Sequence, residues 1–301
     1  MMFILRKKLG GFYYPKDYPR RFVSLIRFQF KLKALWRWLR VQRITTKLLE
    51  FQYQPSIDLI EIDITYQCNL RCHNCNRSSA QAPAAMHLAL ADIEKFVKDT
   101  IATGKHWRRI RVLGGEPTLH PEFMSIMHCL LSLKQLQLVD QLQLVSNGFG
   151  PKVSAILKQL PAGIEVENSS KTGSVQPNFG PFNEAPVDSV LYRFTNFGNG
   201  CDIMHSCGIG LTPLGYYPCA VAGGIDRVTQ AGSGRPTLPD AADHMRDLLN
   251  RNCQLCGRFK DGHYVPEKLR KPLLTQSTSP TWAAIYQKWR LQQTHRRHEN
   301  R

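Results

Sequence analysis

Eight of the nine cysteines in this 301-residue chain fall into two groups, and that grouping limits its architecture more than any other feature. Cys68, Cys72 and Cys75 share one short stretch; Cys201, Cys207, Cys219, Cys253 and Cys256 occupy the final third, and Cys129 stands apart. The opening MMFILRKKLGG lacks the apolar run of a secretory leader, so a reducing, cytoplasmic location is expected. Thiols gathered under reducing conditions point to metal or redox chemistry rather than to disulfides. With 43% hydrophobic and 21% charged residues the composition is globular. The apolar runs fall short of the roughly 18 to 20 residues that cross a bilayer as a helix.

From residue 58 short β-like runs alternate with amphipathic stretches, the signature of βα units around a parallel sheet. LIEIDIT (59–65) reads as the first strand and stops just before Cys68. LADIEKFVKDTIATG follows as a helix, with Ile93, Phe96, Val97, Thr100 and Ile101 on one face and Gly104 as its stop. RRIRVLGG is a second strand running into a turn, and Pro121 opens the next helix. QLQLVSNG (141–148) reads as a third strand, PKVSAILKQL as a third helix and IEVEN (164–168) as a fourth strand. VLYRFTN (190–196) is expected as a further strand, and GIDRVTQAGSGRPTLPD as an exposed loop. Cys129 lies on the apolar face of its helix and reads as a core residue.

YQCNLRCHNC, from Tyr66 to Cys75, places three cysteines with C-x3-C-x2-C spacing in the loop after the first strand. A [4Fe–4S] cluster takes four thiolates, so three leave one iron open, and an open position is where a metal centre does chemistry. RVLGGEPTLHP, from Arg111, ends the next strand with Gly114 and Gly115, which permit close backbone approach to a ligand, and Glu116, a possible acceptor for an ammonium group. Together these resemble the radical S-adenosylmethionine enzymes. The resemblance implies that Cys68, Cys72 and Cys75 hold a [4Fe–4S] cluster and that S-adenosylmethionine binds its open iron. It implies further that Gly114, Gly115 and Glu116 take the methionine amino group, with Ser146 and Asn147 at a polar strand end near the cofactor. The implied fold is α/β, a partial (β/α)6 TIM-like barrel, with active groups at the C-terminal strand ends. Asn74 departs from the family, which usually has an aromatic residue there. The alternative for the three cysteines is zinc, with His73 or His87 as a fourth ligand.

Cys207 leads directly into a hairpin-like GIGLTPLGYYPC219, and Cys253 and Cys256 form a C-x2-C pair. Cys207, Cys219, Cys253 and Cys256 can close a second [4Fe–4S] cluster or a structural zinc site. The arrangement looks like the twitch form of the SPASM-type auxiliary domain of many radical enzymes. Cys201 is an alternative to Cys207. Asp202, His205, Asp188 and Glu167 read as solvated, Tyr216 and Tyr217 as packing residues, and no catalytic base is identified.

The formal charge of +17 is uneven: residues 1–50 carry +11, residues 265–301 carry +6, and the stretch between is balanced. The expected division is a basic amphipathic arm (1–55), a radical core (56–200), an auxiliary cluster domain (201–264) and a basic tail (265–301). Residues 18–49 carry Phe22, Leu25, Phe28, Leu32, Leu35, Trp36 and Leu39 at helical spacing among Lys and Arg. Such a helix either packs on the domain or lies on an anionic membrane at the inner face. No specific nucleic acid is expected, because basic charge alone selects no particular polyanion. The expected partners are a small-molecule, peptide or lipid-linked substrate and an electron donor such as a flavodoxin or ferredoxin. A zinc-stabilised, non-catalytic binding protein for nucleic acid or anionic membrane is the competing class.

Overall fold

LIEIDIT alternates isoleucine with carboxylates, and the strand it forms, β1 (Leu59–Thr65), is buried along its whole length. Successive side chains of a strand point to opposite faces, so Ile60, Ile62 and Ile64 enter one apolar core while Glu61 and Asp63 face the other way. The computed structural model describes residues 23–171, 173, 180–261 and 276–299. It contains a six-stranded sheet in the order β4-β3-β2-β1-β5-β6. The strands β2 (Trp107–Gly114), β3 (Val139–Ser146) and β4 (Glu165–Asn168) extend in parallel from β1. The architecture is α/β with a mostly parallel sheet, as expected of a partial TIM-like core.

Two amphipathic helices cover the apolar face. Between β1 and β2, α3 (Leu90–Thr103) buries Ile93, Phe96, Val97 and Thr100 and stops at Gly104, whose N–H reaches back to the last turn. After β2, α4 (Phe123–Gln135) buries Phe123, Ile126, Met127, Leu130 and Leu133. A short α5 (Pro151–Leu157) follows β3. Cys129 is partly buried against this core. The opposite face carries charge: the register sets Glu61 beside Arg111 on β2, and Arg111 faces Gln143 on β3.

The strand order departs from simple succession after β4. Following α6 (Asp202–Ser206), β5 (Ile209–Thr212) pairs in parallel with the far side of β1, and β6 (Gly215–Tyr217) returns antiparallel to it. The hairpin expected at residues 207–219 is thus built into the main sheet. Residues 190–196 do not form a strand. Val190–Tyr192 is a 3-10 turn, because its neighbourhood spends its carbonyls elsewhere: Leu191 O accepts from Trp38 Nε1 and Phe194 O from the Arg43 N–H. The loop expected from Gly224 onward begins instead inside α7 (Ala220–Thr229), which buries Ile225, Asp226, Arg227 and Val228. Local glycine content suggested a loop, whereas packing between β5 and the chain after Cys75 makes small residues necessary there. α8 (Arg246–Cys253) and α9 (Arg258–Asp261) complete this half.

Both basic ends contribute helices that contact the domain, the first where a basic helix was expected. Residues 23–49 form two helices, α1 (Val23–Arg40) and α2 (Arg43–Leu49), and among the described side chains of α1 the most deeply buried is Arg37. Within the expected tail, α10 (Pro280–Glu299) docks Trp282 and Tyr286 into an apolar cluster with Val221, Ile225 and Val228. Their rings stack at 5.0 Å, and Trp282 Nε1 donates to Leu255 O at 2.6 Å. Residues 265–275 of that expected tail, and Phe22, lie outside the described residues. No described helix is long and apolar enough to cross a membrane. Because Trp282 is 1% exposed, Trp282→Ala is expected to cost about 3 to 5 kcal/mol. The shift of the urea midpoint measures it, and a shift near zero would mean that α10 is dispensable.

Candidate active site

The loop after β1 has no regular secondary structure between Tyr66 and Cys75, so its shape must come from its contacts. The Leu70 N–H donates to Cys68 Sγ at 3.4 Å. Cys72 is buried and Cys68 and Cys75 are half-buried. Burial, reinforced by Cys75 and Cys72 nearby, pushes the Cys68 thiol up to about 12. A cationic centre lowers the pKa of a thiol that binds it, so the burial of Cys68 does not bar it from acting as a ligand.

Gly114 and Gly115 face the loop, and their role is specific. Gly114 sits at φ +138°, and a Cβ there would stand 2.1 Å from Thr65 O; at Gly115 it would stand 2.2 Å from Gln67 O. The Gly115 and Glu116 N–H groups donate to those same carbonyls, each at 2.8 Å. The glycines therefore let the turn press against the chain leading to Cys68. The group they approach in this structure is the cysteine loop's own backbone.

Glu116 is fully buried. Its Oε1 accepts from Thr118 Oγ1 at 2.8 Å and Ser146 Oγ at 2.9 Å, and its Oε2 from the Asn147 N–H at 2.8 Å. It ties the ends of β2 and β3 together. Asn147 extends the tie, donating from Nδ2 to Asn69 Oδ1 at 2.8 Å, with Cys68 Sγ 3.9 Å away. The five expected cofactor residues, Gly114, Gly115, Glu116, Ser146 and Asn147, thus form one hydrogen-bonded unit against the loop of Cys68.

Sequence reasoning missed the residues that hold the loop from its other side. Arg77 lies two positions after Cys75; its Nη2 reaches Glu61 Oε2 at 3.0 Å and its Nε reaches Asp63 Oδ2 at 3.1 Å. Arg111 takes the other oxygen of Glu61 at 2.9 Å and Glu167 at 2.7 Å. Burial lifts the Asp63 carboxyl to about 6 against the pull of Arg77, whereas the two arginines hold Glu61 below its ordinary value despite burial. Arg227 on α7 donates to Ala82 O at 2.8 Å and Arg77 O at 3.1 Å, with its guanidinium 4.6 Å from the centroid of Tyr66. The signal available was the pair of carboxylates on one face of LIEIDIT, which had to meet cations if buried. Glu167, read as solvated, joins this network from a half-exposed position.

Asn74 also has a reason. It adopts φ +51°, a conformation Asn tolerates better than aromatic residues. Its N–H donates to Gln276 Oε1 at 2.9 Å and its Oδ1 accepts from the Ser277 N–H at 3.0 Å. Gln81 joins the same glutamine and reaches Cys72 O at 3.0 Å. The segment ahead of α10 therefore clasps the cysteine loop.

The second group assembles differently from the sequence expectation. Cys201, Cys219, Cys253 and Cys256 each lie within electrostatic reach of the other three. Cys201, Cys253 and Cys256 are buried and Cys219 is half-buried, and burial raises each thiol. Cys207 is not among them: its neighbours are Glu61, Arg111 and Arg109. Cys201 and Cys207 flank the five-residue α6, and six helical steps turn a side chain through roughly 240°. The two thiols therefore diverge, and the structure sets Cys201, rather than the expected Cys207, beside Cys219, Cys253 and Cys256. Arg37 of α1 sits beside Cys201 and Cys253. Among the described residues, no three His, Cys, Asp or Glu side chains are close enough to grip a single metal ion. Thiolates on one tetrahedral ion stand roughly 3.8 Å apart; a cluster holds each on a different iron and so spreads them.

Residues 62–167 match the family described as the Radical SAM superfamily. Domains of that family hold a [4Fe–4S] cluster and S-adenosylmethionine. The chain is 29% identical over 172 residues to a probable GTP 3′,8-cyclase of Methanococcus maripaludis, covering 55% of this chain and 51% of that protein. It is 28% identical over 111 residues to the GTP 3′,8-cyclase of Mannheimia succiniciproducens, covering 36% and 32%. The matches thus span about a third to a half of those relatives. A crystal structure of BtrN with AdoMet and 2-DOIA superposes with a TM-score of 0.38 at 15% identity, over 70% of this chain and 90% of that one.

Glu116→Gln tests whether the carboxylate is structural. An amide must turn its NH2 group toward the backbone N–H of either Thr118 or Asn147, and an unsatisfied buried group costs about 1 to 3 kcal/mol. Metal-free protein carrying this substitution should lose that much stability in denaturant titration. Unchanged stability would mean that Glu116 is free for a ligand alone.

Proposed function

We propose that this protein is a radical S-adenosylmethionine enzyme that abstracts hydrogen from a small-molecule, peptide or lipid-linked substrate. The observation that carries the reading is the single unit formed by the cysteine loop, the Gly114–Glu116 turn and the Ser146–Asn147 strand end. In it Cys68, Cys72 and Cys75 hold a [4Fe–4S] cluster with one open iron, and Gly114, Gly115, Glu116, Ser146 and Asn147 frame the adjoining S-adenosylmethionine. Cys201, Cys219, Cys253 and Cys256 hold a second [4Fe–4S] cluster with every corner closed. When bound, the first cluster supplies the electron that cleaves the sulfonium to a 5′-deoxyadenosyl radical, and the second can accept an electron from the substrate radical.

This chain's own residues contribute position and exclusion. Glu116 and Asn147 keep the strand ends and the loop in register, so that a cofactor meets a preformed edge. Arg77 and Arg227 hold the chain following Cys75, and Gln276 and Ser277 close over Asn74, limiting water at the loop. The similarity to GTP 3′,8-cyclases makes a nucleotide the first small molecule to offer. The enzyme works under reducing conditions in the cytoplasm with an electron donor such as a flavodoxin or ferredoxin.

Anaerobic incubation with reductant and S-adenosylmethionine should release 5′-deoxyadenosine; none from fully loaded protein would overturn the reading. Loaded protein should carry about eight iron atoms, and about four after either Cys68→Ala/Cys72→Ala/Cys75→Ala or Cys201→Ala. Only the triple variant should lose cofactor cleavage. Cys207→Ala should keep about eight. The reverse pattern, with iron lost from Cys207→Ala and kept in Cys201→Ala, would return Cys207 to the ligand set.

A further inference from the structure

The helix α1 is attached by the side that a soluble amphipathic helix would turn outward. Arg37, only 2% exposed, donates to the carbonyls of Gly200 and Phe259 and lies 4.5 Å from the Phe259 ring centroid. Phe28, Leu32, Trp36 and Leu39 of the same helix are exposed, Trp36 at 55%. The neighbouring α2 repeats the inversion: Thr46 is buried, while Ile44 is 78% and Leu48 75% exposed. The 3-10 turn joins this face through the Trp38 bond to Leu191 and the bridge between Gln42 and Thr195. It adds Val190, 87% exposed, with Leu191 and Phe194. Apart from Ile101, Leu136, Val166 and Leu291, every exposed large hydrophobic side chain among the described residues lies in residues 28–51 or 187–194. An apolar surface gathered this way marks an interaction site.

We propose that this face docks on an anionic lipid bilayer. The charge on it selects the occupant. Between Tyr18 and Leu49 the sequence contains no Asp or Glu, while Lys31, Lys33, Arg40, Arg43 and Lys47 stand among the exposed apolar residues. A second copy of the chain would set these cations against their own equivalents across a symmetric interface. A bilayer accepts them: apolar side chains enter the acyl boundary, Lys and Arg stems reach the anionic headgroups, and Trp36 suits the interface between the two. Arg37, the one cation taken inward among the described side chains of α1, fixes which way the helix faces. Docking would bring the protein to substrates or redox partners held at the membrane, but it does not depend on the chemistry proposed above.

The test is sedimentation of the full chain, with its clusters loaded anaerobically, on phosphatidylcholine vesicles with and without one third phosphatidylglycerol. The protein should pellet with the anionic vesicles, remain in solution with the neutral ones, and dissociate as salt is raised. Leu32→Glu/Trp36→Glu should abolish pelleting while leaving circular dichroism and 5′-deoxyadenosine formation unchanged. Lys31→Glu/Lys47→Glu, which alters only exposed side chains, should weaken binding about tenfold or more. The proposal fails if the wild type ignores both vesicles, binds neutral ones equally, or binds as before with either double substitution. It fails also if the chain forms a salt-insensitive dimer that the Leu32 and Trp36 changes dissolve, or if vesicles bind only after residues 1–22 are removed. The last two outcomes would identify a second copy, or the chain's own beginning, as what covers the face.

Discussion

A guanidinium buried between two carboxylates sets the shape of the whole upper edge of the sheet. Arg77 bridges Glu61 and Asp63 from inside the protein, and all three are nearly or fully shielded from water. Charges removed from solvent at this cost persist only when each finds its partners, and removing one member leaves another stranded, at about 3 to 5 kcal/mol. The chain after Cys75 cannot move without breaking those pairs. A loop without regular structure is thereby held in place beside β1.

The same loop is secured by segments far apart in sequence. Glu116 and Asn147 reach it from the ends of β2 and β3, Arg227 from α7, and Gln276 with Ser277 from the segment leading to α10. Each uses hydrogen bonds to backbone carbonyls, backbone N–H groups or amide side chains, so the loop's polar groups are satisfied where water is scarce. The second cysteine group is tied in parallel to α1 through Arg37. One consequence is that both basic ends of the chain, set apart by their charge alone, take part in enclosing the two thiol sites.

Much of the sheet was legible because its signals are local. LIEIDIT, RRIRVLGG and QLQLVSNG each carry their own period and turn, and the helices between them show apolar faces at helical spacing. The cysteine loop and the glycine turn were likewise legible as compact motifs. Residues 190–196 were misread as a strand because their β-branched and aromatic content is real, but α1 and α2 take the carbonyls a ladder would need. The segment from Gly224 was misread as a loop because its glycines signal turns in isolation, whereas in α7 they allow close packing. Cys201 was ranked behind Cys207 because nearness to the hairpin in sequence was taken for nearness in space.

The sequence by itself determined the α/β class, the first four strands, the three thiols of the loop and the turn that faces them. Periodicity and spacing act over a few residues, and a few residues suffice to state them. Only the tertiary structure decided which of five later thiols converge, which way α1 faces, and which arginines neutralise Glu61 and Asp63. Those outcomes depend on the direction in which a short helix or a hairpin carries the chain. One residue more or less in α6 would turn Cys207 through about 100° relative to Cys201 and give it different neighbours, and no local pattern records that rotation.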